Sequence, residues 1–318
     1  MSRDCDYKHI PVMAEKVIEA MRIVPDGVYV DCTAGGGGHS ELILGKLGAK
    51  GQLIAIDRDR DACLTTKMKL ENTISEGNWE VIQSKFSSLK QILAEREIDS
   101  IQGVLADLGV SSMQLDRSER GFSYHQDGPL DMRMDVDHDL SAANWLSRIS
   151  ERELGRILRE YGEERYARRI ARAIIKARDS QGINTTAELA TIIVKSMPAA
   201  SRREAQHPAR RSFQAIRIAV NNELGELEQL LDILPSVIAD QGRIVIITFH
   251  SLEDRLVKQR FKQWEDPCVC PPDFPLCICN KKSKGRIINS IEATANEIES
   301  NIRARSARMR VFERRVCE

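Results

Sequence analysis

The sequence predicts an α/β fold: an open parallel sheet interrupted by an all-helical insertion. Three observations carry this. Apolar strand-like runs alternate with helical patterns from about residue 8 to 110, as in parallel strands joined by crossover helices. No convincing strand pattern occurs between about 117 and 210. Strand-like runs then return. The expected division is a sheet domain of residues 1–116 and 211–318, with 117–210 inserted as a helical subdomain.

The elements follow in order. Residues 11–21 (PVMAEKVIEAM) form a helix, and strands are expected near 27–31 and 52–57. Between them lie a glycine-rich turn and an amphipathic stretch, 40–47. Residues 79–83 (WEVIQ) and 101–107 (IQGVLAD) are the third and fourth strands. In the insertion, Ser141 starts a short helix. Ser150 with Glu153, and Thr185 with Glu188, have the spacing of capping boxes, in which hydroxyl and carboxylate satisfy orphan amides reciprocally. A helix over about 164–178 separates the helices these open, and the second stops before Pro198. Residues 213–234 are helical, with a break expected near Gly225. The run 242–249 (GRIVIITF) is apolar enough for a central strand. The alternation in 307–316 marks a final strand.

Length and charge bound the partners. A chain of 318 residues allows one large or two medium domains. Its 47 basic and 47 acidic residues cancel, which argues against a globally basic nucleic-acid binder but leaves room for a local basic face. No run of apolar residues is long enough to span a membrane, so no membrane partner is expected. The first residues, Met-Ser-Arg-Asp-Cys-Asp, lack the apolar core of a secretory signal, so the cytosol is the default expectation.

The most informative stretch is DCTAGGGGH, residues 31–39. An acid ends the first strand, glycines follow, and Asp57 ends the second strand. Together these make a nucleoside-binding cleft. Glycines let the backbone come close to a ligand and aim amides at it, and Asp57 can accept both hydroxyls of a ribose. A dinucleotide site is one reading, but the glycine spacing ends in Ser40 rather than a third glycine. Asp31 would also repel a pyrophosphate while suiting a cationic amino-acid moiety. Asp31-x-Thr33-x-Gly35-x-Gly37 resembles the first motif of class I S-adenosylmethionine (AdoMet) methyltransferases, a Rossmann-like fold, with Thr33 at the usual first glycine. AdoMet is therefore the expected cofactor, with NAD as the rival.

Asp107 ends the fourth strand, where ligands of open α/β sheets bind. An acid or amide there can hold a target amine. The plain alternative is an aspartate capping a turn. The acid- and glycine-rich segment 121–135 that follows has the composition of a functional lid.

Five motifs carry a family resemblance: DLGVSSMQLD (107–116), RGFSY (120–124) with DGPLDMRMD (127–135), RRSFQAIRIAVN (210–221), ITFHSLEDR (247–255) and IRARSARMRV (302–311). Nearly the whole chain resembles the ribosomal RNA small-subunit methyltransferase H family. The resemblance implies transfer of a methyl group from AdoMet to the exocyclic N4 of one decoding-region cytosine. The partner implied is small-subunit ribosomal RNA or the ribosomal small subunit. It also implies that Gly37, Gly38 and His39 contact AdoMet, that Asp57 binds its ribose, that Phe86 lies against the adenine, and that Asp107 and Gln114 complete the pocket. Three positions depart from the pattern: Gly36 where many relatives have arginine, Met113 and Ile302 where many have proline.

Cytosine N4 is a weak nucleophile because its lone pair is delocalised into the ring. Aligning amine, methyl and sulfur can lower a barrier by about 7–11 kcal/mol in favourable cases. A carboxylate accepting a hydrogen bond from N4–H would add to this, and Asp107 is the candidate. His250 is the second candidate, to contact the base or take the proton. No covalent cysteine is needed, so Cys32 is read as packing. For His39 the backbone is expected to matter more than the ring. An unstacked cytosine costs least to extrude, with the insertion as the opposing wall. Rival functions are DNA amino-methylation, an NAD-dependent dehydrogenase and a non-catalytic ribosome-assembly factor.

Three basic clusters stand out: Arg202, Arg203, Arg210, Arg211 and Arg217; Lys281, Lys282, Lys284 and Arg286; and Arg303, Arg305, Arg308, Arg310, Arg314 and Arg315. Few acids neighbour the third in sequence, so phosphate contact is expected there, with a charge-guarded sheet edge as the alternative. Cys268, Cys270, Cys277 and Cys279 crowd four thiols into twelve residues. In a reducing compartment metal suits them better than disulfides. The C-x-C spacing is not the usual zinc pattern, so zinc and free thiols both stand. No catalytic metal is implied.

Overall fold

The computed structural model describes residues 11–137, 140–203, 206–271 and 278–316. The chain begins with α1 (Ala14–Met21), β1 (Val28–Asp31), α2 (Gly38–Leu44), β2 (Gln52–Asp57), α3 (Arg60–Glu71), β3 (Asn78–Gln83), α4 (Leu89–Ala94) and β4 (Ile101–Asp107). Six helices follow: α5 (Ser112–Asp116), α6 (Ala142–Arg148), α7 (Glu151–Gly162), α8 (Ala167–Gln181), α9 (Thr186–Ser196) and α10 (Arg210–Asn221). The chain returns through α11 (Glu223–Val237), β5 (Ile238–Thr248), α12 (Ser251–Glu265), β6 (Gly285–Glu292), α13 (Ala295–Ser300) and β7 (Arg308–Arg314).

The strands form one seven-stranded sheet in the order β3-β2-β1-β4-β5-β7-β6. β1 to β5 pair in parallel, whereas β7 runs antiparallel to β5 and β6 antiparallel to β7. This is the Rossmann-like sheet of class I methyltransferases. Its order reverses beside β1, between β2 on one side and β4 on the other, and such a switch point opens a crevice at the carboxyl ends of the strands. Alternate residues serve opposite faces. Val30, Ile54, Ile244, Ile246 and Phe312 pack on one face with Leu230 and Leu234 of α11 and Val257, Phe261 and Trp264 of α12. Tyr29, Leu53, Val245, Ile247, Met309 and Val311 pack on the other with Val17 and Met21 of α1 and Ile43 and Leu44 of α2. Cys32 is buried in the first of these cores, in keeping with a packing role.

Two compact units result, one of the residues up to Gly109 with those from Gly225 on, the other Val110–Leu224. These divisions fall outside the expected 116/117 and 210/211. The second shifts because Phe213, Ala215 and Ile216 of α10 belong to the helical core with Leu154 and Leu158 of α7 and Ile170 and Ile174 of α8, and the first because Val110 and Leu115 pack against that same core. The helical unit contains no strand among its described residues beyond one isolated bridge, Pro129 with Thr185.

Four local expectations change. The helix break falls at Asn222, in the left-handed region (φ 50°), and Gly225 continues inside α11. Asparagine is the residue besides glycine that adopts this cap conformation readily. At Ser150 only half the capping box forms. Its hydroxyl accepts from the Glu153 amide at 3.2 Å, but the Glu153 carboxylate turns to Arg156 instead. The box at Thr185 and Glu188 is complete. α8 begins at Ala167, because Glu163 (φ 50°) ends α7 and the chain must turn first. Finally, β6 is an edge strand that periodicity does not reveal. A register shift between Ile287 and Asn289 breaks its alternation. No described helix is long and apolar enough to cross a membrane.

Candidate active site

Asp31, Asp57 and Asp107 end β1, β2 and β4 at the same edge of the sheet. In the ladders Asp31 pairs with Ala55 and with Leu105, two residues short of each neighbouring acid. Asp31 is fully buried. Its Oδ2 accepts from the Ser40 hydroxyl at 2.6 Å and its Oδ1 from the Thr33 amide at 3.1 Å. Burial raises its pKa, against the lowering effect of the Ser40 bond and of His39. Asp31 thus pins the turn from beneath.

Asp57 accepts from the Gly35 amide at 2.8 Å through one oxygen and from the Asp59 amide at 2.9 Å through the other. Burial pushes its pKa up to about 6, opposed by those two amides. A carboxylate offers about four acceptor sites. Two are used by these amides, which leaves capacity for a pair of hydroxyl donors. Asp59 itself is buried and caps α3, accepting from the Asp61 amide at 3.0 Å.

The glycines of the turn have different tasks. Gly37 has φ 75° and is the N-cap of α2, and a Cβ there would lie 3.1 Å from the Thr66 Cα. A Cβ on Gly38 would meet the Pro11 ring at 3.1 Å. A Cβ on Gly36 would meet nothing within 4 Å, so the departure at this position has open space around it. Thr33, at the usual first glycine, accepts from the Asp107 amide at 2.6 Å and ties the end of β1 to the end of β4.

His39 is buried in the first turn of α2, with Nε2 3.6 Å from Asp107 Oδ2. That separation is a charge contact rather than a hydrogen bond. Neither ring nitrogen has a hydrogen-bond partner, and the buried Asp107 Oδ1 has none either. Burial alone would lower the His39 pKa, but Asp107 and Asp31 outweigh it and raise it. The ring therefore joins the site electrostatically, beside the backbone that was expected to matter more.

Phe86 opens a short turn after β3 and packs partly buried against the sheet core, and the preceding Ser84 amide donates to the Asp57 carbonyl at 2.8 Å. Beside it, Lys85 Nζ lies 3.5 Å from Oε1 of the buried Glu226.

A family model described as the MraW methylase family matches residues 6–315. The chain belongs to that family. It is 49% identical over 311 residues to a protein of Clostridium botulinum (strain Kyoto / Type A2), covering 96% of this chain and 98% of the relative. It is 47% identical to one of Clostridioides difficile (97% and 99% covered) and 46% identical to one of Paenibacillus sp. (strain JDR-2), with the same coverage. All three relatives are named ribosomal RNA small subunit methyltransferase H.

In this MraW methylase family member His250 follows β5, three residues beyond Ile247, the ladder partner of Asp107. Its side chain caps α12. Nδ1 accepts from the Glu253 amide at 3.4 Å, while Glu253 accepts from the Phe249 amide at 2.9 Å. Nε2 lies 3.1 Å from Glu253 Oε1. Gln114 belongs to the helical unit, where it forms a complete capping box with Ser111.

The third basic cluster is not short of acids. Arg310 pairs with Asp254 at 2.7 and 2.9 Å, Arg308 with Glu292, and Arg315 with Glu313 at 3.0 Å, while Arg314 donates to the carbonyls of Pro235 and Lys284. Asp254 and Glu292 are distant in sequence and meet the arginines only through folding, whereas Glu313 lies two residues from Arg315. Nor is β7 an edge, since β6 covers it. Cys277 lies outside the described residues, and Cys268, Cys270 and Cys279 lie together.

Thr33, Ser40 and Glu253 also shape the candidate site. Thr33 and Ser40 lie within the glycine-turn motif, but their partners are fixed only by the sheet. His250 with Glu253 has the spacing of a capping box, hidden by an unusual cap residue.

Proposed function

We propose that this protein transfers the methyl group of AdoMet to the exocyclic N4 of a decoding-region cytosine in small-subunit ribosomal RNA. The observation that carries the reading is the set of three acids at the strand ends around the glycine turn, with Asp57 retaining acceptor capacity and Asp107 Oδ1 buried without a partner. An unpaired buried acceptor is costly unless a ligand completes it. The residues therefore fit an AdoMet site.

AdoMet, when bound, supplies an electrophilic methyl on a sulfonium. Asp57 accepts the ribose hydroxyls, and Gly37 and Gly38 keep the turn low enough for a close approach of the ligand. Phe86 gives the adenine an apolar face. Asp107 accepts a hydrogen bond from N4–H and holds the amine for attack. His39, with Nε2 3.6 Å from Asp107 Oδ2, helps to orient that carboxylate and is a positioning residue. His250 would have to leave its cap to take a proton, so the N4 proton passes more simply to Asp107 or water. The helical unit serves substrate recognition. Its ring of Tyr124 stacks on His207 (centroids 4.7 Å, 18°) and approaches His125 (4.4 Å), the kind of platform on which unstacked bases lie.

The test uses labelled AdoMet, small subunits lacking the modification, and naked RNA in parallel, with digested nucleosides identified by mass. The expected product is N4-methylcytidine, formed about 100-fold or more slowly by Asp107→Ala even at saturating AdoMet. Label at another atom, or in DNA alone, would overturn the substrate. AdoMet binding without transfer to any of these would favour an assembly factor.

A further inference from the structure

We propose that Cys268, Cys270 and Cys279 hold one structural zinc ion in the loop between α12 and β6. The three Sγ atoms lie within 4.8 Å of one another, and those of Cys268 and Cys279 are 3.9 Å apart. Thiolates on a tetrahedral zinc, at Zn–S of about 2.3 Å, are separated by about 3.8 Å. The sulfurs therefore already stand near the spacing the ion requires. A disulfide would need one pair to close to about 2.05 Å and would leave the third sulfur out of the bond.

Two further features fit a metal. The Ile278 amide points at Cys270 Sγ at 3.4 Å, and such outer hydrogen bonds stabilise and orient a metal-bound thiolate. The described apolar side chains Val269 and Ile278 are 65% and 69% exposed, so neither anchors the loop by burial. Its base is closed by the Lys284 amide donating to the Trp264 carbonyl at 2.7 Å. A metal supplies folding energy where burial cannot. Lys281, Lys282 and Lys284 lie in the same segment and offset the negative charge of a zinc bearing three thiolates. Soft thiolate ligands select zinc over magnesium or calcium. Zinc takes its remaining position from a further ligand. None of the three cysteines belongs to the candidate active site, so the proposal stands apart from the methyltransferase reading.

The experiment uses the full chain purified under reducing conditions. Elemental mass spectrometry should find about one zinc per chain, released when thiols are titrated with a mercurial. In the double variant Cys268→Ser/Cys279→Ser, zinc content should fall about tenfold or more, with AdoMet affinity kept as the control for folding. Cobalt exchanged into the wild-type chain should give thiolate-to-metal charge-transfer bands and intense tetrahedral ligand-field bands, a readout that does not depend on any variant folding. A wild-type chain that stays zinc-free in zinc-supplemented buffer would overturn the proposal. So would zinc undiminished in the double variant, iron in its place, or a disulfide between Cys268 and Cys279 under the same reducing conditions.

Discussion

Asp57, as the proposed acceptor of the ribose hydroxyls, would make AdoMet binding depend on pH. Its folded pKa of about 6 lies above the usual carboxylate value because burial outweighs the amides of Asp59 and Gly35. Stability from this group is therefore fully present below the unfolded pKa and is lost as pH rises from about 4 through about 6. Ligand binding runs the other way. Two ribose hydroxyls need an acceptor, so AdoMet selects the ionised form and its affinity falls as pH drops through about 6. Calorimetry should find binding about tenfold weaker at pH 5 than at pH 8, with proton release near pH 6. Asp57→Asn should bind more weakly and with a flat profile. A wild-type affinity constant across that range would remove Asp57 from the ribose. The three strand-end acids were legible in the sequence because each closes an apolar run. The bond from the Asp107 amide to Thr33 was not, since it spans 74 residues and exists only once β1 lies beside β4.

The turn between β1 and α2 shows which glycines an element needs. Gly37 combines positive φ with a backbone atom, Thr66 Cα, that a Cβ would crowd, while Gly36 faces open space. Gly37→Ala should cost about 1–2 kcal/mol in chemical denaturation and weaken AdoMet binding. Gly36→Arg should stay within about 0.5 kcal/mol of the wild type. Equal losses at both positions would mean that the turn is held by something other than its backbone geometry. Elements with one regular buried face, such as β5 and α7, could be read from periodicity. β6 could not, because a bulge and an exposed face erase the alternation on which such a reading depends. The end of α10 was misplaced for a similar reason, as Asn222 does the work for which Gly225 was the obvious candidate.

At the scale of the whole molecule the chain holds two kinds of core. The sheet is filled from both faces, with Phe312, Phe261 and Trp264 clustered at centroid distances of 5.2–5.4 Å. The helical unit has its own core, in which Leu158 is fully buried. The expected boundary at 210/211 lies inward of the observed one because Phe213, Ala215 and Ile216 of α10 belong to that core. Separate cores predict separate unfolding. Phe312→Ala should cost about 3–5 kcal/mol and Leu158→Ala about 2–5 kcal/mol. Each should move a different transition in calorimetry, because a chain of two cored units need not melt as one. AdoMet should raise only the transition that Phe312→Ala lowers, since Asp31, Asp57 and Asp107 all belong to the sheet unit. If both substitutions and the ligand moved one common transition, the two cores would be energetically a single unit, and the helical insertion would have to be counted as part of the cofactor-binding fold.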